Sequence, residues 1–134
     1  MSIPPVVDAL YAALREVDVE ALVAVLHPEF RGRVTEGLPF GIGGTAEGPR
    51  EMLRDVWGRA FAHYALHPEP DEVLALADGR VLVLGWYLGS ARATDRPVRA
   101  RFAHVVRVRD GLVDELEQIT DSAAWRAAAE PVRA

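Results

Sequence analysis

Cysteine, lysine and asparagine are absent from all 134 residues. Without cysteine there are no thiol nucleophiles, thiolate metal sites or disulfides; without lysine there is no Schiff-base chemistry. Side-chain amides are confined to one glutamine, Gln118. No apolar run approaches the roughly 20 residues that span a bilayer. Met1-Ser2-Ile3-Pro4-Pro5 has neither the charged start nor the apolar middle of a secretory leader, so a cytoplasmic location is expected. A basic run is also missing: the net charge is −5 and the arginines are dispersed, which argues against a nucleic-acid surface. The length suits one domain with a real core, residues 1–134.

What remains for chemistry is four histidines, 20 carboxylates, three tyrosines and arginine. The most telling stretch is Val98 to Val108. Its even positions read Val, Ala, Phe, His, Val, Val and its odd positions carry Arg99, Arg101 and Arg107. A period of two predicts a strand with one face in a core, and that face holds one titratable group, His104.

Along the chain, apolar residues at 6, 7, 10, 13, 14 and 17 predict a helix that starts after Pro4-Pro5, with Tyr11 beside its apolar stripe. Asp18 is placed to cap a second helix, Val19 to Leu26, apolar on most sides and therefore expected to be buried. His27-Pro28 is expected to end it, and Phe30 to Glu36 to form a short strand. Five glycines punctuate the loop from Gly37 to Gly48, where Phe40 and Ile42 suggest a lid. These glycines lack the spacing and lysine of a phosphate loop. Pro49 opens a third helix that buries Leu53, Val56, Trp57, Ala60, Phe61 and Tyr64. Strands are expected over 64–69, 71–76, 80–93 and 98–108, then, across an Asp110-Gly111 hairpin, over 112–120. A short helix over 123–129 follows. Helices segregated from an antiparallel sheet define the α+β class.

Three stretches carry a family resemblance: Tyr11 through Leu26, Gly48-Pro49 at the third helix, and His104-Val-Val-Arg-Val-Arg-Asp-Gly111-Leu-Val-Asp-Glu115. Together they resemble the nuclear transport factor 2-like superfamily, which includes ketosteroid isomerases and SnoaL-like polyketide cyclases. The resemblance implies a cone in which three N-terminal helices pack on a strongly curved, antiparallel or mixed sheet enclosing a pocket. It places His104 where the isomerases hold a protonated aspartic acid of the oxyanion hole and where the cyclases often have histidine. It places Tyr11 at the isomerases' oxyanion tyrosine, and Gln118 where the cyclases carry an acid/base aspartate, a departure from their pattern. The isomerase base falls near Val34 to Glu36.

On that basis His104, Tyr11 and Gln118 are the candidate catalytic residues. An amide is no general base, so Gln118 is assigned to orienting His104, holding a water or binding a carbonyl. The conservative alternative for His104 is a core imidazole satisfied by a backbone carbonyl or by Gln118. Candidate substrate-binding residues are Phe40, Trp57, Phe61, Trp86, Tyr87, Phe102, Glu36 and Asp121. Asp121, directly before Ser-Ala-Ala-Trp, also reads as a helix cap. His63 and His67 have a helical metal spacing, but the helix is expected to end between them, so no metal is expected.

The expectation is a cofactor-independent acid/base enzyme of isomerase or cyclase type acting on a small apolar or polyketide-like molecule. The alternatives are a noncatalytic small-molecule-binding or subunit-association module, and an epoxide hydrolase or dehydratase. Epoxide opening needs an arginine beside a carboxylate, and Arg101 falls on the outer face of its strand. That arginine-bearing face, mixed with Ala103 and Val105, is expected to serve a homodimer; neither nucleic acid nor membrane is expected as a partner.

Overall fold

The computed structural model describes residues 2–131. Helix α1 (Pro5–Glu16) begins on a proline, as suits a first turn, and buries Val7, Leu10, Tyr11 and Leu14. The Asp18 carboxylate caps α2 (Val19–Ala24) by accepting the Ala21 N–H at 3.2 Å. Contrary to the expectation of burial, only Leu22 of α2 is buried, while Val19 and Val23 face solvent. Fewer than two turns offer a single contact stripe, however apolar the other sides.

Strand β1 (Leu26–Val34) starts earlier than the sequence suggests and contains His27-Pro28. Pro28 falls where the pairing of β1 shifts register between Leu26 and Arg31, so its missing N–H interrupts no regular ladder. The glycine-rich segment holds a tight turn, Pro39–Gly41, and a short strand, β2 (Gly44–Glu47).

The third helix is compound: α3 (Gly48–Glu51), a π-helical turn (Met52–Trp57) and α4 (Gly58–His63). The Gly58 N–H donates to the Leu53 carbonyl five residues back, and a Cβ on Gly58 would lie 2.5 Å from that oxygen. The bare glycine admits the widened turn. The extra residue turns Met52 into the core in place of the expected Leu53, while Val56, Trp57 and Ala60 stay buried as expected.

Strand β3 (Tyr64–Ala75) is one strand with a register shift after Pro70, where two strands were expected. Its edge position leaves the proline nitrogens without a ladder to complete. Then come β4 (Val81–Ala91), β5 (Pro97–Arg109) and β6 (Leu112–Thr120), the last two joined by the expected Asp110-Gly111 turn. Helix α5 (Ser122–Ala129) is capped by Asp121. The sheet order is β2-β1-β6-β5-β4-β3; β1 and β6 run parallel and all other neighbours antiparallel.

This is the expected α+β class, a curved six-stranded mixed sheet with helices, consistent with a cone. The core lies on the helix side of the sheet, where Val83, Ala100, Phe102, Val106 and Leu116 are almost fully buried. Among the described residues no helix is long and apolar enough to cross a membrane.

Candidate functional site

Strand β5 turns Val98, Ala100, Phe102, His104 and Val106 inward, the register read from its period of two. His104 is 2% exposed. Its partners are neither a backbone carbonyl nor Gln118 but two tyrosines. The Tyr11 hydroxyl from α1 lies 2.6 Å from Nδ1, and the Tyr87 hydroxyl from β4 lies 2.7 Å from Nε2. Phe102 stacks on the imidazole at 4.1 Å. The missing side chain of Gly85 makes room for it: a Cβ there would come within 2.7 Å of the Phe102 ring.

Burial governs the electrostatics of this row. It pushes the His104 pKa down to about 3, since a charged imidazole would be stripped of water. It also pushes both tyrosine hydroxyls well above their ordinary value, with Tyr11 a further, smaller influence on Tyr87. At neutral pH all three groups are uncharged. A neutral imidazole has one donor and one acceptor nitrogen, which matches two hydroxyl partners.

Gln118 stands directly opposite His104 in the β5–β6 register and is 6% exposed. Opposite residues of an antiparallel pair hold their Cβ atoms about 5 Å apart, on the same sheet face. Among the described residues the Gln118 side chain makes no hydrogen bond, while its backbone oxygen accepts from Thr35. Gln118 borders an internal cavity walled by Val56 and Trp57 of the π-helical turn, by Ile42 and Phe61, and by Tyr87 and Trp125. The Trp125 indole N–H is already committed to Thr120. Among the described residues no charged side chain lines the cavity. Its free volume is about 30 Å³, room for roughly two waters. Pockets for drug-sized ligands run to roughly 300–1,000 Å³, so such a ligand requires the walls to part.

Among the other candidates, Trp57, Phe61 and Tyr87 border the cavity. Phe102 lies behind it, against His104. Phe40 is 43% exposed, adopts a positive φ of 62° and stacks on His63, while its neighbour Ile42 forms wall. Arg59 holds this loop by donating to the Gly41 carbonyl at 2.7 Å. Trp86 is on the opposite face of the sheet from Tyr87, with the Arg99 guanidinium 3.8 Å above its ring, because adjacent strand residues point opposite ways. Asp121 spends its carboxylate on the Ala124 N–H as the cap of α5. Glu36 borders a separate groove of about 250 Å³ that also touches Gln118.

A larger groove, about 430 Å³, lies on the outer sheet face and is lined by opposite charges that pair with one another, such as Arg31–Glu47 and Arg107–Glu115. It has no connection with His104. One buried charge escaped the sequence reading: Asp114, 2% exposed, accepts from Arg107 and Arg109. It occupies a register shift in β6, which alternation alone does not reveal.

Comparison with known proteins agrees with this architecture. The model of a family described as SnoaL-like domain matches residues 7–116. An NTF2-like protein from Burkholderia thailandensis is 29% identical, with a TM-score of 0.85, 98% of this chain covered and 100% of that one. An NTF2-like protein of unknown function from Burkholderia pseudomallei is 28% identical, with a TM-score of 0.82 and coverage of 92% and 93%. TerC, crystallised with polyporic acid, is 26% identical, with a TM-score of 0.80 and coverage of 92% and 94%. No curated protein matches.

Proposed function

The chain belongs to the SnoaL-like domain family, and from that premise we propose that it takes a small, neutral, largely apolar carbonyl compound into the cone and polarises it without a cofactor, for isomerisation or cyclisation. The observation that carries this reading is the hydrogen-bonded row Tyr11–His104–Tyr87, which ends at an apolar cavity beside an unengaged Gln118 amide. Fixed hydrogen-bond donors at a developing enolate are an effective way to lower such a barrier in a water-poor site. With its pKa far below neutrality, His104 works here as a neutral group that orients and polarises, rather than as a cationic acid. TerC was co-crystallised with a small molecule, polyporic acid, which supports a small-molecule ligand for this fold.

Among the described residues no carboxylate lines the cavity, which favours a second reading, a noncatalytic module that binds the same class of ligand. One experiment separates them. The protein is incubated with neutral cyclic ketones and quinones and with carboxylates of matched size; thermal shift reports binding, and NMR of the reaction mixture reports the rearranged product. Binding of the neutral compounds with turnover that His104→Ala abolishes, at unchanged affinity, supports the enzyme. Turnover that survives His104→Ala removes His104 from the mechanism. Binding without product selects the module.

We further propose that a second copy covers the outer sheet face. Leu84, Trp86 and Leu88 lie part-exposed there, with Arg99, Arg101 and Glu69 as cross-strand neighbours, a mix of apolar surface and both charge signs that suits a two-fold pair. Sedimentation expects a dimer that Leu84→Glu splits; a monomeric wild-type protein contradicts it.

A further inference from the structure

We infer that Tyr87 is the hydroxyl that meets the ligand, that Tyr11 and His104 are positioning residues lined up behind it, and that the ligand is a neutral compound carrying a carbonyl oxygen for Tyr87 and a second oxygen for Gln118. This deepens the proposed function and rests on it. A neutral imidazole flanked by two hydroxyls donates to one and accepts from the other.

If Nδ1 carried the proton, His104 would donate to Tyr11, and the Tyr87 hydroxyl would donate to Nε2. The Tyr11 proton would then need another acceptor. Tyr11 is buried, does not border the cavity, and has no side-chain partner except His104 among the described residues. That arrangement strands a buried donor.

With the proton on Nε2, the one donor left over belongs to a residue that borders the cavity. The Tyr11 O–H donates to Nδ1, the Nε2–H donates to the Tyr87 oxygen, and the Tyr87 proton is left to point elsewhere. Tyr87 borders the cavity. All the bonds then run in one direction, from α1 through β5 to the cavity, and each polarises the next. The Tyr87 hydroxyl is thereby a better donor than an isolated phenol.

The ligand's chemistry follows from the same wall. The Tyr87 hydroxyl proton and the Gln118 amide are the polar side-chain groups of the lining not committed to protein partners, and neither is charged. A carboxylate or ammonium would enter a low-dielectric space without a counter-ion, at heavy cost. A carbonyl oxygen accepts from Tyr87 without that penalty. The amide of Gln118 both donates and accepts, so it suits a second carbonyl or a hydroxyl.

The test has two arms. In the first, His27, His63 and His67 are each replaced by glutamine, leaving a single imidazole, and its isotope-labelled nitrogens are read by NMR at neutral pH in the full-length protein. The expected spectrum is a neutral ring protonated at Nε2; a ring protonated at Nδ1 overturns the order of the row. The second arm follows the infrared carbonyl stretch of 2-cyclohexen-1-one added to wild type, Tyr87→Phe and Tyr11→Phe. The stretch is expected to fall on binding to wild type, to lose that shift in Tyr87→Phe, and to keep a reduced shift in Tyr11→Phe. Loss in Tyr11→Phe with retention in Tyr87→Phe overturns the assignment. An enone that fails to bind wild type counts against the carbonyl ligand of the proposed function, and the tautomer then still decides the direction of the row.

Discussion

Acid is expected to weaken this protein through His104 in a way that can be isolated from every other titration. The folded imidazole has its pKa pushed down to about 3 by burial, whereas an unfolded histidine titrates at 6.5. Between those values the unfolded chain binds a proton that the folded chain refuses, so stability falls as pH falls through this window and is unaffected above it. Each pH unit in the window removes about 1.4 kcal/mol, so moving from neutrality to about pH 4.5 costs roughly 2.5 kcal/mol. The comparison is with His104→Gln, which keeps a hydrogen-bonding side chain and does not titrate. Whatever the two proteins share cancels in the difference between their profiles. With a urea dependence of about 2 kcal/mol per molar, the wild-type midpoint should drop roughly 1.2 M further than that of the variant over this range. Parallel pH profiles for the two proteins would refute a neutral, desolvated imidazole held between two tyrosines.

Three further perturbations probe the surrounding structure. Gly58→Ala forces a methyl group against the Leu53 carbonyl and should destabilise the fold by about 1–3 kcal/mol in chemical denaturation; an unchanged midpoint would deny the π-helical turn its dependence on a bare residue. Gln118→Leu removes an amide with no protein side-chain partner, so the folded state should lose little while affinity for a neutral dicarbonyl falls roughly tenfold by calorimetry. Asp114→Asn weakens bonds from Arg107 and Arg109; the Arg107 hydrogen bond first, then the two positive charges, hold this carboxyl below the usual carboxylate range. The wild type should therefore keep the advantage of Asp114 above that range and lose it as pH falls through it, so the gap between the two proteins in urea should close in acid.

The elements most legible from sequence were those with one strong period. Helix α1, the inward register of β5 and the Asp110-Gly111 hairpin followed from spacings of 3.6 and two and from turn chemistry. The inward direction of His104 was legible for that reason, and its partners were not. Tyr11 sat beside an apolar stripe, and only the crossing of α1 over the sheet brings its hydroxyl to Nδ1. Tyr87 was hidden by a different cause. Strand β4 is apolar on both faces, with Val81, Val83 and Tyr87 inward and Leu82, Leu84 and Trp86 outward, so alternation is silent and pairing with β5 sets the register. Trp86 was misplaced by the same silence. Valines around α2 suggested burial because composition reports hydrophobicity and not which neighbours are available to cover it.

A crystal structure of the protein soaked with 2-cyclohexen-1-one tests the central claim most directly. The enone is expected inside the cone, with Trp57 and Phe61 displaced around it and its oxygen about 2.7 Å from the Tyr87 hydroxyl, within hydrogen-bond reach. Enone bound only in the outer arginine–glutamate groove, or a cavity still closed with the Tyr87 hydroxyl turned away from it, would contradict the account.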